Sequence, residues 1–404
     1  MDTLKNKKVH FETYGCTFNF ADTEKLKEIA TANGCEIVTA EEADAVCINS
    51  CTVVAQTQRA MLRAVNDYQG KEVYITGCMP VVQADELRDA RPDIHIILPE
   101  DIYLHTERVG AITDEGVGVV QIGTGCLGGC AYCITRLARG RLRSFSEKSI
   151  INETKRLVSE GASEIQLTGQ DVSAYGRDKG TDLSRLLHLM NEIEGDFAVR
   201  VGMMNPATVL PILKRLVPAF SLEKVFSFVH LPVQSGSDHV LSTMNRGYKG
   251  SDFVKIVDTF RTEIPDVRIS TDFIVGYPTE TDKEFEETLD ILNITKPTKV
   301  NITRFSVREG TAAAEYKDFP DWVKKERSRE MTIAANKIYD ENNEKMIGRV
   351  IPVAVTEEKK AGSVIARDKS YNNIVIKESL PIGMKLDVKI VSHNRHYLIG
   401  EKTG

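Results

Sequence analysis

Three cysteines within eight residues, Cys126, Cys130 and Cys133, constrain this chain more than any other feature. They lie in GTGCLGGCAYCITRLARGRLRS, residues 123–144, among small residues and just ahead of four arginines. A loop with this spacing turns three thiols toward one centre. A zinc site usually takes four protein ligands, yet no cysteine follows Cys133, and the next histidine, His188, lies in a helical pattern. Three thiolates on a four-iron cluster leave one iron open to an exogenous ligand. The neighbouring glycines let the backbone wrap closely around such a cluster and donate N–H groups to its sulfurs. A structural zinc loop is the alternative.

The rest of the cysteine usage points the same way. The N-terminal stretch MDTLKNKKVHFETYG has charges and no apolar signal segment. No apolar run approaches the roughly 18 residues that span a bilayer. A cytoplasmic, membrane-free protein is expected, and there eight cysteines serve metal or redox chemistry rather than disulfides.

A chain of 404 residues predicts two or three domains. The first hundred or so residues alternate strands and helices. KVHFETYG, EIV, AVCIN and EVYIT read as strands suited to burial in a parallel sheet. ADTEKLKEIATANG reads as a helix, with Asp22 as N-cap and Gly34 as the stop, and further helical segments lie near 55–68 and 83–90. This is the pattern of a doubly wound α/β domain. A second series begins near Val117, with strand candidates VGVVQIG, EIQLTG, VRVGMM, VFSFVHLPV, RISTDFIVG and KVNITRFS separated by helical stretches. It predicts a partial or complete parallel β/α barrel. Residues 321–347 read as a charged amphipathic helix, a solvated connector. From Gly348 onward five short strands between turn residues predict a small all-β barrel. Residues 341–404 carry 11 Lys plus Arg against 8 Asp plus Glu, on a chain whose net charge is -6. A uniformly basic nucleic-acid binder is thereby excluded, while a basic tail module is not.

Three further cysteines are scattered in sequence but alike in position. Cys16 ends VHFETYGC, Cys51 ends AVCINSC and Cys78 ends VYITGC, each just beyond an expected strand. In an open α/β sheet those ends form one edge, where ligands bind. Gly15 and Gly77 suit the tight turns this needs. Three unrelated buried cysteines are the alternative, since buried cysteine is common. Cys35, after a helix-ending glycine, and Cys47, inside a strand, read as packing residues.

The C-x3-C-x2-C spacing, with Tyr132 before the last cysteine, resembles the radical S-adenosylmethionine (SAM) superfamily. TYGCTFNFADTEKL, INSCTV and TGCMP resemble the N-terminal signature of the methylthiotransferases, and GCLGGCAYC with ARGRLRS resembles their radical SAM loop. LTGQDVSAYG, HLPVQSGSDHVLSTMNRGY and TDFIVGYPTETDKEFEETL are similar to later barrel motifs of that family. The terminal barrel resembles a TRAM domain, an RNA-binding module. The resemblance covers almost the whole chain in the expected order. It implies an auxiliary-cluster domain over residues 1–112, a radical SAM barrel with its connecting helix over 113–342, and a TRAM domain over 343–404.

The resemblance also implies two 4Fe-4S clusters. The one on Cys126, Cys130 and Cys133 cleaves SAM; the one on Cys16, Cys51 and Cys78 carries the sulfur that is methylated and inserted. Two SAM molecules are used per turnover, and an electron-donor protein serves an enzyme expected to be a monomer. LTGQDVSAYGRD and CITRLARGRLRS most resemble the archaeal and eukaryotic branch. That branch methylthiolates C2 of N6-threonylcarbamoyladenosine beside the anticodon, so the implied partner is the tRNA anticodon stem-loop. FSVREGTAAA departs from the family's YPRPGTPAA by losing both prolines, though Arg308, Gly310 and Thr311 remain. Other members act on isopentenyladenosine in tRNA or on a ribosomal-protein aspartate. Outside catalysis, an RNA-binding protein with structural clusters is the alternative.

Polar residues at later strand ends are candidates for the cofactor. Gly169, Gln170 and Asp171 suit the SAM methionine, and Gln234, Ser235, Gly276 and Glu280 suit SAM or substrate; a turn role is equally open for each. Arg136, Arg139, Arg141 and Arg143 follow the cysteine loop, where they would grip tRNA phosphates or stack on a splayed base. A solvated charge run is the alternative.

Overall fold

A computed structural model describes residues 4–53, 55–113 and 115–403, in two compact units. The first unit comprises residues 1–170, 175–180 and 308–314. Its strands Lys8–Thr13, Glu36–Ile37, Ala45–Ser50, Glu72–Gly77 and His95–Ile96 form one parallel sheet. Their spatial order is second, first, third, fourth, fifth. The order reverses between the first and third strands, and the carboxyl edge beside such a switch point is where open α/β sheets take ligands. Along Ala45–Ser50 side chains alternate between two covered faces. Ala45 and Cys47 pack with Leu26, Ile29 and Cys35, while Val46 and Ile48 pack with Met61, Val65 and Met79. Cys35 and Cys47 are thus core residues, as expected.

Two expectations need correction here. The helix Thr17–Ala32 starts five residues before Asp22, with Cys16 at its N-cap position. Asp22 is not a cap; it is fully buried in the second turn. Gly34 does stop the helix: with φ +82° it sends its N–H to Thr31 C=O at 2.9 Å, while Cys35 N–H reaches Ala30 C=O at 2.9 Å. The strand expected at EIV shrinks to Glu36–Ile37 at the sheet edge, and both residues are exposed.

The first unit continues with a hairpin not expected from the sequence, Gly110–Ile112 against Val117–Gln121. Glu164–Thr168 adds parallel to Val117–Gln121 after the crossover helix Glu147–Ser159. Ser146 caps that helix by accepting from Ser149 N–H at 3.0 Å.

The second unit comprises residues 171–174, 181–307 and 315–404. It contains the strand Ala198–Val201 and the parallel strands Phe228–His230, Arg268–Val275 and Lys299–Arg304. VFSFVHLPV yields only three strand residues, because Ser227 N–H turns to Lys369 C=O of the terminal barrel. The helix Asp321–Glu344 is more than a solvated connector. Lys324, Arg327, Met331, Ala335 and Ile338 form a buried stripe at helical spacing, and Tyr339 Oη accepts from Val300 N–H at 2.7 Å. The chain ends in a closed barrel of five strands, Val350–Lys360, Ser363–Arg367, Asn373–Ile376, Lys385–His393 and Leu398–Lys402. Its interior is filled by Val353, Val355, Ala366, Ile374, Ile376, Val388 and Ile390. Among the described residues no helix is long and apolar enough to cross a membrane.

Candidate active site

At one sheet edge Cys51 and Cys78 directly follow the strands Ala45–Ser50 and Glu72–Gly77, Cys16 lies three residues past the strand Lys8–Thr13, and the carbonyl of Ser50 joins their loops. It accepts from Cys78 N–H at 3.0 Å and from Asn19 Nδ2 at 2.9 Å. Asn19 Nδ2 also donates to Tyr14 C=O at 2.9 Å, which fixes the turn ahead of Cys16. The packing leaves no room for side chains before two of the cysteines. A Cβ on Gly15 (φ +112°) would lie 2.8 Å from Cys51 Cβ, and one on Gly77 (φ +92°) would lie 2.3 Å from Ser50 O. Burial pushes the Cys78 thiol up, the Arg139 guanidinium opposes this, and the neighbouring Cys16 and Cys51 thiols add to the rise. Cys16 is exposed while Cys51 and Cys78 are buried. Cys47, by contrast, is pushed up to about 12 by burial alone, with no partner that would favour a thiolate.

The second triad sits on one compact loop. Cys126 N–H donates to Gly140 C=O at 3.2 Å, and Gly128 N–H donates to Cys126 Sγ at 3.3 Å. The latter is the backbone-to-sulfur contact that the small residues of this loop make possible. Cys133 N–H bonds Cys130 C=O at 3.1 Å, and Cys133 is the N-cap residue of the helix Ile134–Arg139. All three thiols are partly exposed.

The four arginines separate into two groups. Arg141 and Arg143 are exposed and Arg136 partly so, with Arg143 5.8 Å from the Tyr103 ring centroid. Arg139 points the other way, with a side chain only 1 % exposed, so it has no surface to offer a phosphate. Its Nη1 pairs with Asp22 Oδ2 at 2.7 Å, its Nη2 donates to Asn19 Oδ1 at 2.8 Å, and its Nε donates to Cys78 Sγ at 3.4 Å. Burial works against its charge, and Asp22, Cys78 and Tyr103 together more than restore it. Tyr103 Oη and Gln121 Nε2 donate to the other Asp22 oxygen at 3.1 and 2.8 Å. Asn19 is not expected here from the sequence, and Asp22 is expected only as a helix cap. They lie, with the buried Thr23 and Lys25, among Phe18, Ala21 and Leu26 on the covered side of the helix, a run of polar residues where an apolar face is the norm.

Arg308 also approaches the first triad. It donates to Val53 C=O at 2.8 Å and Gln58 Oε1 at 2.9 Å; burial pulls its guanidinium down, and the nearby Cys51 thiol only partly opposes this.

The cofactor candidates differ in how far the protein itself uses them. Gln170 Oε1 is buried and has no hydrogen-bond partner, leaving an acceptor for a ligand. Gly169 beside it is partly exposed. In the second unit Asp171 is not free for a cofactor. Its oxygens accept from Ser173 Oγ at 2.6 Å and Thr208 Oγ1 at 2.8 Å, as a turn residue's would. Ser235 is fully buried, with Thr288 Oγ1 3.2 Å from its hydroxyl. Gln234 holds a left-handed backbone, φ +73°, between Asp272 and Ile274. Glu280 Oε2 accepts from Gly276 N–H and Arg327 Nη1, each at 2.7 Å, while its buried Oε1 has no partner.

The donor chemistry fits iron–sulfur clusters. Each triad offers three sulfurs, close backbone and, for the first, a buried cation. Among the described residues no three His, Cys, Asp or Glu side chains converge on a single metal ion.

Comparison with known proteins agrees with this donor set. Residues 8–99 match the Uncharacterized protein family UPF0004, residues 120–292 the Radical SAM superfamily, and residues 344–403 the TRAM domain. An Archaeoglobus fulgidus protein named "Probable threonylcarbamoyladenosine tRNA methylthiotransferase" is 41 % identical, with 98 % of each chain covered. The chain belongs to this methylthiotransferase family. Within it, a Pyrococcus horikoshii relative of the same name is 37 % identical over 98 % of this chain and 99 % of its own. The Xenopus laevis "Threonylcarbamoyladenosine tRNA methylthiotransferase" is 33 % identical over 98 % of this chain and 77 % of its own. Among solved structures, a radical SAM methyltransferase from Kitasatospora setae, with cobalamin and a 4Fe-4S cluster bound, has a TM-score of 0.57. At 11 % identity, covering 76 % of this chain and 77 % of that one, it shows the fold alone. An iron–sulfur cluster and SAM go with the radical SAM domain that this family carries.

Proposed function

We propose that this protein is the tRNA methylthiotransferase that converts N6-threonylcarbamoyladenosine beside the anticodon to its 2-methylthio derivative. The observation that carries the reading is the pair of three-cysteine sites in a chain matching this family's members end to end. One triad suffices to cleave SAM. A second, at the sheet's switch point, has no purpose in that step and suits sulfur insertion. The reading takes residues 1–112 as the auxiliary-cluster domain, 113–342 as the radical SAM core and 343–404 as the RNA-binding domain. Cys126, Cys130 and Cys133 hold one 4Fe-4S cluster, and Cys16, Cys51 and Cys78 hold the other.

When bound, the loop cluster supplies the electron that splits SAM into methionine and a 5′-deoxyadenosyl radical, and that radical takes hydrogen from unactivated C–H bonds. The C2–H of the adenine is neither acidic nor strongly electrophilic, so this route suits it. The chain's own residues bind and orient. Gln170 Oε1 accepts from the SAM ammonium, with Gly169 leaving space for the methionine. Glu280 Oε1, Gly276 and Gln234 offer further polar contacts to SAM or substrate. Arg136, Arg141 and Arg143 remain for tRNA phosphates, and the terminal barrel adds affinity. Each turnover uses two SAM molecules, one for the radical and one for the methyl group. An electron-donor protein, a monomeric state and a cytoplasmic location complete the reading.

The deciding assay compares tRNA bearing the threonylcarbamoyl group with unmodified tRNA under anaerobic reduction. Mass spectrometry of the nucleosides should show methylthiolation of the former alone. Equal modification of both rejects the substrate. Modification of isopentenyladenosine tRNA or of a ribosomal protein instead identifies another branch of the family. No SAM cleavage at all favours the non-enzymatic RNA-binding protein.

A further inference from the structure

Arg139 is the last residue of the helix Ile134–Arg139. That helix begins at Cys133 of the loop triad and runs about 9 Å at 1.5 Å per residue. At its far end Arg139 donates Nε–H to Cys78 Sγ of the other triad at 3.4 Å. The two cysteine sites therefore lie at opposite ends of one short helix, and a cation from the first loop rests on a sulfur of the second.

The guanidinium cannot swing away. Nη1 is held by Asp22 at 2.7 Å and Nη2 by Asn19 at 2.8 Å, and Asn19 in turn holds the loops of Cys16 and Cys51 through Tyr14 and Ser50. Its Cζ lies over the Phe18 ring, 4.8 Å from the centroid, a further attraction that holds it there. A fixed fork of this kind serves bidentate positions that lysine cannot fill. Its pairing with Asp22 accounts for the ion pair alone and not for the Nε–H aimed at sulfur.

We propose that Arg139 is a positioning residue for the auxiliary cluster: its Nε–H bond to Cys78 and its buried positive charge raise that cluster's reduction potential. The physical basis is general. Hydrogen bonds to cluster sulfurs, together with local charge, set reduction potentials, and a buried cation favours the reduced, more negative state strongly because little solvent screens it. The proposal rests on the reading that Cys16, Cys51 and Cys78 hold a cluster, and the experiment separates the two.

The test uses the full chain carrying Cys126→Ala, Cys130→Ala and Cys133→Ala, reconstituted anaerobically so that only the auxiliary site can load. Iron and sulfide analysis comes first, then a redox titration followed by electron paramagnetic resonance. Arg139→Gln in this background should retain iron and titrate at a more negative potential. Arg139→Lys, which keeps the charge but loses the fork, should fall between Gln and Arg. Because Arg139→Gln leaves Asp22 buried without its partner, Asp22→Asn/Arg139→Gln is titrated alongside and should show a smaller negative shift, since the Asp22 charge is removed with the guanidinium, at an unchanged circular dichroism spectrum. Unchanged potential in the iron-loaded, folded variants overturns the role of Arg139. Failure of the parent triple variant to bind iron overturns instead the assignment of a cluster to Cys16, Cys51 and Cys78. A folded double variant that loses its iron while the parent triple variant keeps it also overturns the proposal, since Arg139 then holds the cluster in place rather than setting its potential.

Discussion

Arg139 and Asp22 form a 2.7 Å ion pair in which each side chain is 1 % exposed, joining the helix after the catalytic loop to the first helix of the chain. Removing one partner leaves the other charge buried. Asp22→Ala should therefore lower stability by about 3–5 kcal/mol. Asp22→Ala/Arg139→Met should recover much of that loss. Urea unfolding of the cluster-free protein, followed by circular dichroism, is the measurement, and a single variant as stable as the parent contradicts the pair's role.

The two triads should fail differently. Cys130→Ala should abolish 5′-deoxyadenosine formation under reduction. Cys78→Ala should keep that activity and lose methylthio insertion, with iron falling by about four atoms per chain. Liquid chromatography of the SAM products and nucleoside mass spectrometry read both. Intact SAM cleavage in Cys130→Ala would remove the loop triad from its role.

Lys25 gives a pH signature. It is buried on the helix Thr17–Ala32, bonded to Gln121 and 3.9 Å from Asp22. Burial pulls its ammonium down from 10.5 to about 8, only partly offset by Asp22. In the unfolded chain the proton stays on to the ordinary value. Between these limits the unfolded state binds more protons, so the Lys25 contribution to stability rises as pH goes from about 8 toward 10.5. The stability difference between the parent and Lys25→Met should change in that direction by at most on the order of 3 kcal/mol. A difference constant from pH 7.5 to pH 10.5 in urea titrations would contradict a buried, charged Lys25.

Removal of residues 348–404 tests the terminal barrel. Binding of the tRNA should weaken strongly, and the slope of log affinity against log salt should flatten as phosphate contacts are lost. SAM cleavage without tRNA should persist. An unchanged salt slope would place the phosphate contacts elsewhere, on the exposed Arg141 and Arg143 foremost.

Much of this protein is written locally. The C-x3-C-x2-C loop, the strand–cysteine endings at Cys16, Cys51 and Cys78 and the short strands after Gly348 all depend on spacing over a few residues, and spacing is what a sequence displays. That Gly34 ends its helix followed for the same reason, because the left-handed backbone there favours glycine.

What the sequence could not decide is where a long side chain goes once distant segments meet. Arg136, Arg139, Arg141 and Arg143 look alike in a row, yet only Arg139 turns inward. Its partners Asp22 and Asn19 lie more than a hundred residues earlier, so no local pattern links them. Likewise Asp22 resembles a helix cap and Asp171 a ligand, until the fold places one against a buried guanidinium and the other between two hydroxyls. Sequence alone determined which residue types the chain holds near each strand end. Tertiary structure alone decided their partners, because a buried charge must find its counter-charge wherever in the chain that happens to be.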